Sequence, residues 1–244
     1  YRWLEWDESH LGVMLDNYLT VNEGSASEFD LLHVQPGVFV ESPQCWLGCE
    51  LTGRLEYNFA YDAFGGETLG TRHAVTGSLS RCAEDGVTTT VYLAANVTDF
   101  RNDGANPDED SLDGWAYTLG AVRTWTFQWE MITVLQAGGD LQWADLRGDN
   151  QTYRGASAFL AADVYLNACL VLRPEVGLGF RTYPEFTGTP SRDELIIRAG
   201  GQLRRWLDEH WYVAGTFYYD DFASDNHEFS ANHFTAGALL GFER

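Results

Sequence analysis

Basic residues are scarce in this sequence, and lysine is missing altogether. Arginine supplies all 15 basic residues, and 36 aspartates and glutamates bring the formal net charge to −21. Because like charges repel, this excess of negative charge disfavours nucleic acids and anionic surfaces as partners. We attribute the missing lysine to codon bias and give it no functional weight.

Long hydrophobic runs are also absent. No stretch approaches the roughly 18 apolar residues that a membrane-spanning helix requires, which excludes such a helix. The length of 244 residues fits one domain or two small ones. No charged segment followed by an apolar one begins at Tyr1, so we expect any signal peptide to have been removed already.

Aromatic residues, by contrast, are abundant. The chain has 9 tryptophans, 12 tyrosines and 14 phenylalanines. The strands of a transmembrane β-barrel present only every second side chain to lipid, so such a barrel can be rich in aromatics without any long apolar run. A soluble β-sandwich or β-propeller fits the same composition.

Period-two alternation of apolar and polar residues runs through most of the chain, whereas helical periodicity is nearly absent. In the cleanest segment, 46–62, Leu55 and Tyr57 share one face, and Arg54 and Glu56 share the other. The predicted strands have 12–17 residues, more than the roughly 9–11 that a tilted membrane strand needs. The twelve predicted strands are 11–22, 28–41, 46–62, 68–82, 87–100, 114–127, 130–144, 153–167, 171–183, 194–206, 210–221 and 229–243.

The connections between these strands alternate in length. The short ones are 41–44, 83–86, 128–130, 167–170 and 207–209. The longer, acidic ones are 22–27, 62–67, 99–113, 145–152, 184–193 and 221–228. Outer-membrane barrels have tight periplasmic turns and longer extracellular loops, whereas a soluble sandwich has no reason to sort its connections in this way.

Tryptophan and tyrosine gather near the strand ends. Trp125 and Trp211 lie beside short turns, and Trp115 and Trp143 lie at loop ends. Amphipathic aromatic rings are enriched at both membrane–water interfaces, whereas a soluble core would favour tryptophan at strand centres. Further members of the two bands are Trp46, Trp129 and Trp206 near the turns, and Tyr57, Tyr61, Tyr117, Tyr153, Tyr183, Tyr218 and Tyr219 toward the loops.

These patterns together predict an all-β fold. We expect residues 9–244 to form a closed antiparallel transmembrane β-barrel of about 12 strands in a Gram-negative outer membrane. Lipid and lipopolysaccharide of that membrane are the expected surroundings. Residues 1–8 are expected to form a periplasmic segment or a plug, and a frayed terminus is an equal alternative.

The last third of the chain carries a family resemblance. The stretches LRPEVGLGFRTYPEF and SRDELIIRAGGQLRRWLDEHWYVAGTFYYDDFASDNHEFSANHFTAGALLGFER resemble the end of porin-like outer-membrane barrels. They also resemble the barrel domains of exopolysaccharide or surface-lipoprotein export proteins. The resemblance implies the architecture and does not specify a substrate. Residues that match the spacing of the terminal assembly signal are Thr235, Gly237, Leu240 and Phe242, with Glu243 and Arg244 following the aromatic residue.

The polar strand faces would line the interior of the barrel. Arginines gather on the ninth and tenth predicted strands and acids on the first and third, which lie roughly opposite in a ring of twelve. We expect a transverse field that orients polar or zwitterionic solutes and sets selectivity; the alternative is a nearly filled interior whose charges satisfy one another. The predicted pore-lining residues are Asp16, Glu50, Arg54, Glu56, Arg72, Asp140, Asp163, Arg173, Glu175, Arg181, Arg198 and Arg204.

The acidic loop 102–114 offers oxygen ligands for a hard cation. Calcium takes six to eight such ligands, so closely spaced aspartates favour a Ca²⁺ site. The spacing does not match an EF-hand loop, and a solvated acidic loop is the alternative. The predicted ligands are Asp103, Asn106, Asp108, Asp110 and Asp113.

Four cysteines lie near the predicted turns: Cys45, Cys49, Cys82 and Cys169. The periplasm is oxidising, so a disulfide is permitted there. Cys45 and Cys82 lie at neighbouring ends of predicted strands and are our preferred pair. Their spacing fits neither zinc nor haem.

A few residues depart from the alternation. Pro36 and Pro174 each remove a ladder donor, so we expect a local gap in pairing. His73 and Arg123 have the parity of the lipid face. His73 could mark a register slip, and Arg123 could extend to the interface beside Trp125.

We predict no catalytic residues. A lipid-face hydrolase needs a serine beside a histidine, yet Ser78 and Ser80 have the opposite parity to His73. A rim enzyme would have to use the last loop, and barrel rims are commonly rich in Asp and His. The rim residues in question are Asp220, Asp221, Asp225, His227 and His233.

Two functional hypotheses follow. The first is a passive porin-like channel for small hydrophilic solutes, governed by the charge of the pore wall. The second is a membrane anchor or scaffold subunit of a larger surface or export assembly, favoured by the acidic loops and an interior that could be closed. An outer-membrane hydrolase is the third and weakest hypothesis.

Overall fold

The structure, a computed structural model, describes the backbone of residues 2–6, 9–20, 31–46, 49–83, 86–101, 106–128 and 131–242. Side chains at 2–6, 16–20, 31, 44–46, 49 and 239–242 fall outside this description. Asp16 and Cys45 are therefore described by their backbone alone, and Asp103 lies outside the described residues.

Thirteen strands form one continuous antiparallel sheet in which every strand pairs with its neighbours in sequence. The all-β, up-and-down antiparallel fold predicted from the sequence is confirmed, and twelve of the strands correspond to the predicted ones. The strands are β1 (Arg2–Trp6), β2 (Ser9–Thr20), β3 (Leu31–Trp46), β4 (Cys49–Phe64), β5 (Glu67–Cys82), β6 (Val87–Phe100), β7 (Gly114–Thr126), β8 (Ile132–Leu146), β9 (Tyr153–Asn167), β10 (Leu170–Thr182), β11 (Asp193–Trp206), β12 (Trp211–Ser224) and β13 (Ala231–Phe242).

Alternation gives the sheet two chemically different faces. On β10, Val176 and Leu178 project from one face and are 53% and 56% exposed, while Glu175 and Arg181 project from the other and are only half-buried. Successive side chains of a strand point to opposite faces, so a period-two sequence separates apolar from polar side chains without any helix. The apolar face is the more exposed one along most of β4–β12.

The sheet has almost no hydrophobic core. The chain exposes 15655 Å², whereas a soluble globular protein of this mass exposes about 11,000 Å². In the described part, eight apolar side chains are buried and five of them are alanines. A single sheet with so little buried apolar area excludes the sandwich and propeller that composition alone allowed.

Both prolines interrupt the ladders as expected. On the β3–β4 ladder, pairing passes from Val34 to Gly37, leaving Pro36 out. On the β9–β10 ladder, pairing passes from Leu172 to Glu175, leaving Pro174 out. The register is the same on both sides of each gap, because proline removes a donor without adding a residue.

Helical structure occurs only in the longer connections of the described residues. These contain helix α1 (Pro107–Asp110) and 3₁₀ turns at Asp149–Gln151 and His227–Phe229. In the part of the chain that is described, no helix is long and apolar enough to cross a membrane.

The two edges of the sheet are β1 and β13. β1 is an extra strand that the sequence did not predict, and it covers Ser9 to Gly12 of β2. Among the described strands, no ladder joins β13 to β1 or β2. Closure of the sheet into a ring, and a plug role for residues 1–8, therefore stay predictions.

Candidate functional site: the polar face of the sheet

The predicted pore-lining residues share the polar face. Arg54 and Glu56 alternate with the exposed Leu55 and Tyr57 on β4. Glu50 belongs to the same row on β4, and the Asp16 side chain lies outside the described residues. The same parity places the other predicted side chains on this face: Arg72, Asp140, Asp163, Arg173, Glu175, Arg181, Arg198 and Arg204.

Several polar side chains bridge strands that are not direct neighbours. Arg72 Nη2 on β5 donates to Gln35 Oε1 on β3 at 3.0 Å, and the Tyr92 hydroxyl on β6 donates to Asp140 Oδ2 on β8 at 3.5 Å. Arg173 on β10 likewise bonds Gln136 on β8. Strands two apart are separated by about 9.6 Å, so these bonds indicate that the polar face is the concave one.

Charges on this face pair along the wall. Arg173 Nη1 lies 2.8 Å from Asp163 Oδ1, and Arg198 Nε lies 2.6 Å from Asp220 Oδ1. Two of the four arginines that were expected to set a transverse field are therefore neutralised by adjacent acids. This arrangement weakens the expected field, whose role in selectivity stays a prediction.

The other two of these arginines stack on aromatic rings. The guanidinium carbon of Arg181 lies 4.6 Å from the Tyr153 ring centroid, and that of Arg204 lies 4.4 Å from the Tyr212 ring centroid. A cation over an aromatic face is attracted by the ring quadrupole. The Arg204 guanidinium carbon also lies 5.9 Å from the Trp206 ring centroid. Tyr153 and Trp206, which the sequence assigned to the interfacial bands, therefore lie on the polar face and not on the apolar one. Outward-facing members of the bands include Trp115, Tyr117, Trp143, Trp211 and Tyr219.

Two polar residues do lie on the apolar face. His73 Nδ1 is 2.7 Å from the Tyr57 hydroxyl, and the imidazole lies 5.0 Å from the Phe59 ring. The ladders on both sides of His73 are continuous, so no register slip occurs there. The Arg123 guanidinium lies 5.4 Å from the Trp125 ring, and its extension to a membrane interface stays a prediction.

Four loops at one end of the sheet are joined in series. The Gly148 amide donates to Ser111 O at 3.1 Å, which ties the β8–β9 loop to the β6–β7 loop. The Thr187 amide donates to Asn150 Oδ1 at 3.1 Å, which ties the β10–β11 loop to the β8–β9 loop. The rings of Phe186 and Phe229 meet edge to face at 5.4 Å and add the β12–β13 loop. We call this set the loop belt: residues 106–113, 147–152, 183–192 and 225–230.

Arg192 is the central residue of the loop belt. Its guanidinium lies between the rings of Tyr183 and Phe229, at 3.8 and 4.0 Å. Its Nε lies 2.7 Å from Glu194 Oε1, and its Nη1 donates to Asn150 O at 3.0 Å. Three loops therefore meet at one buried cation.

The Tyr183 hydroxyl completes this cluster by donating to Glu194 Oε2 at 2.8 Å. Burial raises the pKa of Tyr183 to about 12, and the neighbouring Glu194 carboxylate adds to the rise, while Arg192 opposes it. Both effects favour the neutral phenol, which can donate to the carboxylate. Sequence alternation contained no signal for this cluster, because it is built from irregular loops.

The acidic loop uses part of its oxygen ligands internally. Asp113 Oδ1 accepts from the Phe100 amide at 2.6 Å, and Asp110 Oδ2 accepts from the Asn106 amide at 3.2 Å. No group of three metal-ligating side chains converges within the described ranges. The predicted calcium site, which includes Asp103 outside those ranges, stays a prediction.

The disulfide prediction is not reproduced. Cys82 is a free, exposed thiol at the end of β5, as is Cys169 before β10. Cys45 lies on β3, and β4 separates β3 from β5. Strands two apart are about 9.6 Å from each other, beyond the roughly 7 Å that a disulfide can span between Cα atoms.

Two of the five rim residues, Asp220 and His233, take part in contacts between adjacent strands. Asp220 pairs with Arg198, and the His233 ring meets the Phe222 ring at 5.6 Å. A separate pair that the sequence did not single out lies on the polar face, where His33 Nδ1 is 2.6 Å from Asp62 Oδ1. Each of these pairs connects two adjacent strands, so a structural role in holding the wall together accounts for its position.

No protein-family model and no curated protein matches this chain. Among solved structures, the chain is similar to the beta domain of the Bordetella autotransporter BrkA, at 14% identity and a TM-score of 0.41 over 95% of this chain and 97% of that one. At this level the similarity is no guide to function. The fold therefore rests on the strand pairing itself, and the function on the two faces of the sheet.

Proposed function

We propose that the chain is an outer-membrane β-barrel that acts as a passive channel for small hydrophilic solutes. One observation carries the proposal: the convex face is apolar and exposed, while the concave face carries paired charges. If water lay on the convex side, a large apolar surface would be exposed to it. Lipid on the convex side and water on the concave side would give each face surroundings of matching polarity.

The dimensions of the sheet support this reading. The twelve long strands have 12–16 residues, which at a tilt of 35–45° corresponds to a height of roughly 30–40 Å. The apolar band of an outer-membrane barrel is about 25 Å tall. In a ring of twelve, β13 would pair with β2 antiparallel, which an even strand count allows.

The loop belt favours a second candidate function, a membrane anchor of a larger surface assembly. Loops fixed to one another by a buried arginine form a rigid surface, and partners bind such a surface at a lower entropic cost than mobile loops. The belt adjoins the ends of strands β6–β13, which makes it the broadest feature at that end of the sheet within the described residues.

Reconstitution separates these functions. We expect the purified chain to require detergent or lipid to remain monodisperse, and liposomes that contain it to swell in isotonic solutions of small sugars. Swelling would support the channel; an intact barrel with no swelling and no conductance at any voltage would refute it and favour the anchor. A chain that stays folded and monodisperse in plain buffer would refute the membrane barrel altogether.

A further inference from the structure

A recess lies in the wall of the concave face, between β8 and β11. Its volume is about 320 Å³, and β10 contributes Gly177 and Gly179 where neighbouring positions carry long side chains. A volume of this size is at the lower end of small-molecule sites. The polar side chains that surround it are Asp140, Gln142, Ser157, Glu175, Arg181 and Arg198.

Hydrogen-bonding capacity in the recess is only partly used. Among the described residues, no hydrogen bond to the Glu175 carboxylate is formed, and its charge interacts with that of Arg198. The Arg181 guanidinium lies over the Tyr153 ring. Arg198 directs Nε and Nη2 to Asp220, which leaves its Nη1 available. The recess therefore offers both donors and acceptors to a ligand.

An aromatic ring lies along the wall of the same recess. A Cβ at Gly138 would lie 2.6 Å from Phe159 Cε1, so the ring covers this glycine across the β8–β9 ladder. Tyr218 covers Gly200 in the same way on the β11–β12 ladder. Because glycine has no Cβ atom, each ring can lie flat against the backbone of the neighbouring strand. A flat ring beside polar groups suits a ligand that has both C–H and O–H surfaces.

The charges around the recess select the class of ligand. Asp140 and Glu175 are acidic, Arg181 is basic, and the charge of Arg198 is already paired with that of Asp220. An anionic ligand would therefore meet the two acids, and a cationic ligand would meet Arg181. A neutral ligand rich in hydroxyl groups avoids this conflict, because each hydroxyl both donates and accepts. Hydrogen bonds to charged side chains are the stronger kind.

We propose that this recess binds a neutral polyhydroxylated solute, chemically a mono- or disaccharide, on the inner wall. The inference rests on the proposed channel and deepens it, since a wall site would make permeation of such solutes saturable. Glu175 and Arg181 would bind hydroxyl groups directly, and Phe159 would contact the C–H face of the sugar.

The test combines maltose binding with maltose-induced block. Calorimetry in detergent measures binding to the wild-type barrel independently of conduction, and single-channel recording measures the block. Gly177→Val fills the recess, since a Cβ there meets its nearest atoms at 3.5 Å and can be accommodated. Gly77→Val on β5 is the matched control, because a Cβ there meets nothing within 4 Å and its parity is that of the outer face.

We expect Gly177→Val and Glu175→Ala each to weaken maltose binding and block by tenfold or more, and Gly77→Val to leave both unchanged. Equal binding in wild type and Gly177→Val, or no maltose binding in an otherwise conducting barrel, would overturn the inference. So would a saturable block by triglycine without one by maltose, because the site would then select zwitterions. Maltose binding without any conductance would support the site while refuting the channel.

Discussion

Replacing Arg192 by methionine should open the loop belt while the sheet stays folded. The Arg192 side chain is 11% exposed and that of its partner Glu194 is 5% exposed. Removing one member of a buried ion pair typically costs about 3–5 kcal/mol, because the remaining charge has lost its partner. The lost contacts with the rings of Tyr183 and Phe229 add about 0.5–2 kcal/mol each.

The loops can open locally, so the full cost need not reach the strands. We expect hydrogen exchange of the Thr187 amide, which donates to Asn150 Oδ1, to accelerate by at least a hundredfold in Arg192→Met. Proteinase K should then cleave within 183–192 in lipid-embedded protein and leave the strands intact.

Two variants control this prediction. Arg147→Met removes an arginine of the same belt whose side chain is 54% exposed. Because solvent screens an exposed charge, this change should cost about 1 kcal/mol or less. Adding Glu194→Gln to Arg192→Met should recover part of the loss, because the orphaned buried charge is removed. Equal exchange rates in Arg192→Met and Arg147→Met would refute the central role of Arg192.

Three further predictions address the alkaline limit, the lipid-facing surface and the thiols. The pKa of Tyr183 is raised to about 12 from 10.0, so its neutral form contributes about 2–3 kcal/mol that is fully present below pH 10 and lost as pH rises toward 12. Because intrinsic exchange itself rises with hydroxide concentration, the expected result is a fall in the protection factors of the loop amides across that window. A Tyr183→Phe variant whose protection factors show the same pH profile would contradict this. Leu178→Arg on the convex face should destabilise the barrel in lipid by about 2–4 kcal/mol. Leu207→Arg, in the β11–β12 turn, should change the free energy of unfolding little. Similar losses of stability for both variants in urea titrations would argue against lipid at Leu178. Cys82 should react with maleimide in the folded, non-reduced protein, and a mass spectrum showing Cys82 bonded to Cys45 would contradict the strand order.

Alternation predicted the faces well because it is a local property. A side chain's face depends only on its parity within a strand, so Arg54, Glu175 and Leu178 could be assigned before any pairing was known. The outward position of His73 follows from the same rule. Phe59 lies directly across the β4–β5 ladder from His73, and the hydrogen-bonding partner Tyr57 lies two residues from Phe59 on the same face.

Turn positions were harder to predict, and one error produced another. The sequence analysis placed a short connection at 41–44, yet β3 continues to Trp46. Pro43 remains paired with Thr52 within the β3–β4 ladder. Once Cys45 belongs to β3 rather than to the start of β4, it can no longer neighbour Cys82.

The sequence could not predict which side chains are neighbours on adjacent strands, or which loops are in contact. Arg173 and Asp163 are paired because β9 and β10 align in one particular register, which depends on the turn between them. The stacking of Arg192 between two rings depends on three irregular loops meeting. Neither feature has a period, so no pattern in the chain could reveal it.

The short strand β1 also affects how a ring could form. It holds β2 at four paired positions, between Ser9 and Gly12, on the side where β13 would have to join. β1 and β13 would compete for the same backbone N–H and C=O groups of β2. Replacing β1 by β13 would break four residue pairs and could form as many pairs as the 12 residues of β2 allow. Until that exchange, β1 shields part of an edge that would otherwise recruit strands from other chains.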